Sequence, residues 1–162
     1  MAIRDYIVFD FETGSRNPRK TQPTQIAALA LDGRNFKLKG TFNSEIRPVM
    51  DDEKAIEMGF DPLEDEALRI TGKNREDLAK APLPKTVWKK FCDFVNQYNW
   101  KGTQFFAPIP AGFNIIGFDM IIVDRLCKAY GPYDKERQQQ KLFNKIYKVD
   151  MMDNMFMWTE GD

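Results

Sequence analysis

An α/β fold, with a mixed sheet of about five strands and helices packed on it, is what this sequence predicts. Three observations carry that expectation. The chain opens on an apolar run of β-branched and aromatic residues, Tyr6-Ile7-Val8-Phe9-Asp10-Phe11-Glu12-Thr13. Two more strand-like runs follow before any helical period appears. After them, helix-period and strand-like runs alternate.

The first run, residues 6–13, ends at Gly14 and a polar stretch over 15–23, which reads as strand and then loop. Residues 24–31 stop at Asp32-Gly33, a strong signal for a two-residue hairpin. Residues 36–47 alternate in part and stop at Pro48, so an antiparallel three-strand meander is the simplest reading. The polar segment 51–84 predicts short helices and loops. Asp61-Pro62 is expected to open one helix, with Pro at the first helical position, and Thr71-Gly72 to break it. Val87, Trp88, Phe91, Val95 and Tyr98 then recur at helical spacing, which predicts an amphipathic helix over 84–98. Ala107–Phe113 is apolar, but Pro108 and Pro110 make it an awkward strand. Residues 119–129 predict a second amphipathic helix, 130–140 a polar connector, 147–150 a last short strand and 151–158 a partial helix.

The 162 residues are of one-domain length, so a single domain over 1–162 is expected. Apolar residues make up 43%, with thirteen Phe and three Trp, which is enough to bury a core. No apolar run approaches the roughly 20 residues of a membrane helix. Met1-Ala2-Ile3-Arg4-Asp5 lacks the apolar centre of a signal peptide. A cytoplasmic protein with no membrane partner is the expectation. Cys92 and Cys127 stand apart from each other, and without His they give no zinc pattern; they read as reduced thiols. Lys and Arg total 24, as do Asp and Glu. That balance argues against nonspecific duplex binding driven by counterion release. It leaves open an enzyme that grips one strand end through metals and a local basic patch. The absence of His excludes a His general base, a His metal ligand and a Ser-His-Asp arrangement within this chain.

Asp10 and Glu12 sit two residues apart in the first strand, so both carboxylates point to one face and Phe9 and Phe11 to the other. Side by side they repel, and either a proton or a cation neutralises them. Magnesium or manganese is the usual solution, since hard cations take oxygen ligands. Taken alone the pair is a weak signal, and two exposed charges at a strand end explain it as well.

Phe9-Asp10-Phe11-Glu12-Thr13-Gly14 resembles the first motif of the DEDD (DnaQ-like) 3′–5′ exonucleases, D-x-E-T-T/G. Gln25-Ile26-Ala27-Ala28-Leu29-Ala30 resembles that family's second strand. Ile70-Thr71-Gly72, with Glu76, Leu78, Ala81 and Pro82 behind it, resembles its helix-turn element beside the active site. Gly112-Phe113-Asn114-Ile115-Ile116-Gly117-Phe118-Asp119 resembles its second motif, in which an Asn precedes an Asp that opens a helix. The four elements occur in the family's order and cover nearly the whole chain. By pattern the chain is similar to the proofreading subunit of bacterial DNA polymerase III, ribonuclease T and phage exonucleases.

The resemblance implies a ribonuclease H-like fold, with Asp10, Glu12 and Asp119 as catalytic metal ligands for two Mg²⁺ or Mn²⁺ ions. For Asp119 a helix N-cap is the compatible structural alternative. It also implies a terminal-nucleotide pocket lined by Phe11, Thr13 and Gly14, walled by Thr71 and Gly72, with Asn114 orienting the site or touching substrate. Phe11 as plain core and Asn114 as a local backbone partner are the structural alternatives. Arg16, Arg19 and Lys20 form a small basic loop nearby, read as solvated rather than as a phosphate contact. The cluster Met151, Met152, Met155, Phe156, Met157 and Trp158 reads as core packing or a partner surface.

The family's third motif, a His or Tyr and a later Asp on a final helix, has no counterpart here. Asp150 resembles a structural Asp before that motif, and neither Asp153 nor the terminal Asp162 matches its catalytic position. The chain is therefore expected to lack the C-terminal helix, to expose an apolar patch and to hydrolyse slowly alone. The implied activity is 3′–5′ hydrolysis of single-stranded DNA or RNA, aided by a polymerase or a complementing C-terminal fragment. An inactive module that binds nucleic-acid ends or a polymerase is the alternative, and a ribonuclease H-like enzyme with its own fourth carboxylate is a third.

Overall fold

A computed structural model describes residues 3–152; the expectations for Asp153, Met155–Trp158 and Asp162 fall outside these. Strands β1 (Tyr6–Thr13), β2 (Pro23–Leu31) and β3 (Leu38–Glu45) form an antiparallel meander. Strands β4 (Ile109–Gly112) and β7 (Val149–Asp150) add in parallel, giving a five-stranded mixed sheet in the order β3-β2-β1-β4-β7. Between β3 and β4 lie α1 (Asp52–Glu57), α2 (Asp65–Thr71), α3 (Arg75–Leu78) and α4 (Pro84–Asn96). After β4 come a π-helical turn (Ile115–Asp119), α5 (Met120–Tyr130) and a small hairpin, β5 (Tyr133–Asp134) with β6 (Gln139–Gln140). The expected α/β fold is the one observed.

Alternation along β1 decides how the sheet is used. Ile7, Phe9 and Phe11 are buried on one face, where they meet Val87, Trp88, Phe91 and Val95 of α4 and Ile122, Val123 and Cys127 of α5. The Phe9 ring stacks on Phe143 at 5.2 Å between centroids and lies 6.3 Å from Phe91. Trp88 stays in the core by donating its indole N–H to the Gly131 carbonyl at 2.9 Å. The register places Tyr6, Val8, Asp10 and Glu12 on the opposite face, across from Leu31, Leu29, Ala27 and Gln25. That face grades from apolar, at Leu31 and Leu38, to polar, at Gln25, Asn43 and Glu45. Leu29 is 44% exposed there, and Leu38 is exposed beside it. Both thiols are free, and burial pushes Cys92 up to about 12, so it carries no thiolate near neutrality. Among the described residues no helix is long and apolar enough to cross a membrane.

Two local expectations are corrected. Asp32-Gly33 does not make a two-residue hairpin; the connection runs over 32–37. The Asp32 carboxylate accepts from the Arg34 and Asn35 amides, and Phe36 takes a positive φ of 60°. Gly33 serves another purpose. A Cβ there would collide with the Arg4 carbonyl, and its amide donates to Asp5 Oδ1 at 3.0 Å. Pro62 likewise does not start a helix, for α2 begins at Asp65 after Glu64. The intervening Leu63 is buried against Gly14, and the Glu64 amide donates to the Gly14 carbonyl at 2.8 Å. Docking on Gly14, just after β1, thus delays the helix, and Glu64 before it is extended.

Phe91 is fully buried and touches the rings of Phe9, Phe42, Trp88, Phe94 and Phe143. Phe91→Ala is expected to cost about 3–5 kcal/mol in urea unfolding, with the slope unchanged. A loss below about 1 kcal/mol would show that this ring cluster is not the core that holds the helices to the sheet.

Candidate active site

Strand β1 alone brings the first two acidic groups together. Asp10 and Glu12 share a face, and their carboxyls are close enough to share a proton. Burial raises the Asp10 carboxyl above its usual range, against the hydrogen bond with Glu12. Glu12 is also raised, first by burial and then by the Asp10 charge, with Lys73 pulling the other way. A proton taken up there would belong to the pair rather than to either residue.

Asp119 arrives from the other side of the sheet. Pairing between β1 and β4 stops at Val8 and Ala111, so the Phe11 amide beyond it has no strand partner on that side. The Asp119 carboxylate supplies one, accepting from Phe11 N at 3.0 Å through Oδ2. Asp119 is 3% exposed, and burial, with the Asp10 and Asp150 charges adding to it, pushes its carboxyl up to about 7. The helix N-cap alternative is corrected: Asp119 already has helical dihedrals and makes no side-chain cap bond. Asp150 holds the turn that delivers it. One Asp150 oxygen accepts from the Asn114 amide at 2.9 Å and the other from the Ile116 amide at 3.1 Å. Asn114 sits in the left-handed region at φ 55°, a conformation Asn tolerates, and its side chain lies over Gly117.

The remaining candidates divide. The Phe11 ring is buried in the core on the face away from the carboxylates, so at the site it contributes its backbone amide. Thr13 Oγ1 donates to the Ser15 carbonyl, and Gly14 gives Leu63 room to pack. Thr71 Oγ1 donates to the Ala67 carbonyl at 2.9 Å, and Gly72 ends α2 in the left-handed region. Arg16, Arg19 and Lys20 are exposed. The turn at Gly72 also brings in a residue that the sequence reading missed. Lys73 reaches Glu45 at 3.4 Å with its side chain 14% exposed, and it is the cation that acts on Glu12. Its partners are far away in sequence, so no local pattern marks it.

Among the described residues no three Asp, Glu or Cys side chains converge on one cation position. The three candidates stand instead as a pair, Asp10 with Glu12, and a neighbour, Asp119, engaged with a backbone amide. The chemistry of the pair still fits a hard divalent ion. Magnesium keeps most of its waters and takes one or two carboxylates plus substrate oxygens, and a cation would relieve the mutual repulsion of the pair.

Comparisons with known proteins agree on the fold. A family model described as Exonuclease (RNase_T) matches residues 7–109, a span that includes Asp10 and Glu12 and stops before Asp119. Exonuclease I from Methylocaldum szegediense superposes with a TM-score of 0.68 at 19% identity, covering 94% of this chain and 28% of its own. Exonuclease I of E. coli, in complex with a dT13 oligonucleotide, gives 0.69 at 17% identity, covering 96% and 30%. An exonuclease I complex with SSB-Ct gives 0.68 at 16%, covering 97% and 30%. The chain thus spans less than a third of the length of these structures. No curated protein matches the sequence.

The raised carboxyl of Asp119 has a consequence for stability. Its folded value, about 7, exceeds the unfolded one near 4, so the folded state binds the proton more tightly. Its contribution is greatest below the unfolded value and is lost as pH rises through that window. In the absence of divalent ions, Asp119→Asn, whose amide oxygen can still accept from Phe11 N, is expected to stabilise at pH 8. The gain is on the order of 2 kcal/mol, with little gain at pH 4. Thermal melts in EDTA at the two pH values check this; equal shifts at both would refute it.

Proposed function

The chain belongs to the exonuclease family, whose ribonuclease H-like fold it shares, and on that footing we propose that it removes nucleotides from the 3′ end of single-stranded DNA or RNA. The observation that carries this reading is the acidic pair on the open face of β1, with Asp119 tied to the same strand one residue away. Nuclease chemistry in this family uses divalent ions. In this chain Asp10 and Glu12 would hold Mg²⁺ or Mn²⁺, with Asp119 beside them. Bound there, such ions would polarise a phosphodiester and make an attacking water more acidic. The chain's own residues do the rest. The core rings of Phe9 and Phe11 lock the register of the acidic pair, and the Lys73 charge acts on Glu12. Gly72, with Thr71, sets the turn that places Lys73. Asn114 and Asp150 fix the start of the π-helical turn that ends in Asp119.

A second reading is favoured by one observation. Asp119 is committed to a backbone amide, and among the described residues no third carboxylate completes a cation site. An exonuclease-like module that binds strand ends without cutting them fits that arrangement.

Digestion of end-labelled single strands with Mn²⁺ or Mg²⁺ separates the two. The first reading expects a 5′-labelled strand to shorten as a ladder, a 3′-labelled strand to release mononucleotide at once, and a circular single strand to survive. Binding without digestion supports the second reading, and nicking of the circle excludes the first. For the metal, Asp10→Ala and Glu12→Ala are each expected to abolish Mn²⁺ binding in titration calorimetry. The melting temperature should be unchanged or higher, because carboxylate repulsion is relieved. Wild-type Mn²⁺ affinity in both variants would remove the acidic pair from the proposed site.

A further inference from the structure

At the other end of the sheet, beyond the start of β1 and β4, exposed aromatic rings and cations gather in one patch. Phe105 is 57%, Trp100 52% and Tyr147 51% exposed. The Arg4 guanidinium lies 4.3 Å from the centre of the Phe105 ring and 5.6 Å from that of Tyr147, and its Nε donates to the Phe105 carbonyl at 2.6 Å. Lys101 Nζ is 4.7 Å from the centre of Phe106, which in turn sits 5.0 Å from Phe105 and 6.1 Å from Trp100. Neither Arg4 nor Lys101 joins any ion pair among the described residues. Trp100 and Phe105 from one segment and Tyr147 from a distant one are half-exposed rings gathered around Arg4, Lys101 and Phe106, and they do not serve the core, which lies elsewhere.

We propose that this patch is a stacking platform for single-stranded nucleic acid, holding bases upstream of the 3′ end that sits at Asp10 and Glu12. The inference rests on the nuclease reading for the position of that end. Its chemistry is independent. Every base offers a π-face to an aromatic ring, and phosphates between the bases neutralise flanking cations. With Lys and Arg balanced by Asp and Glu over the chain, attraction for a polyanion has to be local, and this patch supplies it. Arg4 precedes Asp10 by six positions, about 20 Å along an extended chain, so a few nucleotides of an extended strand bridge the two ends. The face between them carries Tyr6 and Val8 and is not covered by α4 or α5. An acidic peptide would also meet the cations, but it has no use for several ring faces at once.

Fluorescence anisotropy with a 5′-labelled oligothymidylate of about 12 nucleotides, in EDTA so that nothing is cut, reads the platform directly. Trp100→Ala with Phe105→Ala is expected to weaken binding about tenfold or more. Lys101→Gln should lower the slope of log affinity against log salt by about 0.7. These residues are exposed, so folding is checked by an unchanged melt; should the double variant unfold, Trp100→Phe and Lys101→Gln carry the test. Binding of the same probe is expected to quench tryptophan emission, and Trp100→Phe to remove most of that quenching. Wild-type affinity and salt slope in the variants, or no binding by the wild type, overturns the platform. So does a change from dimer to monomer in the variants with DNA affinity unaltered, which makes the patch a contact between copies. The nuclease reading fails separately: a wild type that stacks the probe but never shortens it from the 3′ end keeps the platform and loses the activity.

Discussion

Phe9 and Phe11 cannot turn away from the helices that bury them, and a strand alternates, so Asp10 and Glu12 have no other place than side by side on the opposite face. The crowding of two carboxyls is therefore imposed by the core. Relaxing it by rotating the strand would expose Ile7, Phe9 and Phe11, which at about 25 cal/mol per Å² of apolar surface costs far more than the repulsion. The protein carries the strain as raised proton affinity in both residues. Whatever neutralises that pair, proton or cation, binds to a geometry the hydrophobic core has already set.

The same economy explains why Asp119 and Asp150 are where they are. A four-residue β4 leaves the amides beyond its end without strand partners, and buried or part-buried amides find side-chain acceptors instead. Asp119 answers for Phe11, and Asp150 answers for Asn114 and Ile116. Each carboxylate thus replaces a missing stretch of sheet. The arrangement puts negative charges near one another at the end of the sheet, and each raises the proton affinity of Asp119. Tolerance of that cost would be intelligible at a site that used negative charge, as proposed, since a wholly structural partner, an Asn or a water, would satisfy the same amides without repulsion.

Local patterns in the sequence were read well where one element determines the outcome. Strand β1, the meander and the amphipathic helix at Pro84–Asn96 follow from alternation and helical period alone, and the acidic pair follows from alternation. Errors came where two distant segments meet. Asp32-Gly33 looked like a tight hairpin because its second function, making room for Arg4, is invisible in a local window. Pro62 looked like a helix start because the docking of Leu63 on Gly14 is a tertiary event. For Asp119 the sequence leaves a helix cap open as an alternative, because the Phe11 amide it serves is 108 residues away. Lys73 was missed for the same reason: its partners, Glu45 and Glu12, lie on different strands and are brought together only by the turn at Gly72.

If its substrate is the proposed polyanion, a chain with equal numbers of acidic and basic residues faces an electrostatic problem, and the placement of charge bears on it more than the total. The acidic pair repels phosphate until a cation intervenes. On the proposed nuclease reading, affinity for the end of a strand would then be conditional on the ion that also enables chemistry. Affinity for the rest of the strand has to come from somewhere that does not repel, and the farther from Asp10 and Glu12 it lies, the less their charge is felt at physiological salt, where screening acts over about 8 Å. An aromatic–cationic patch roughly 20 Å along the strand direction is beyond that range. On that proposal, separation of grip from chemistry along the sheet would let neutrality in sum coexist with binding in part.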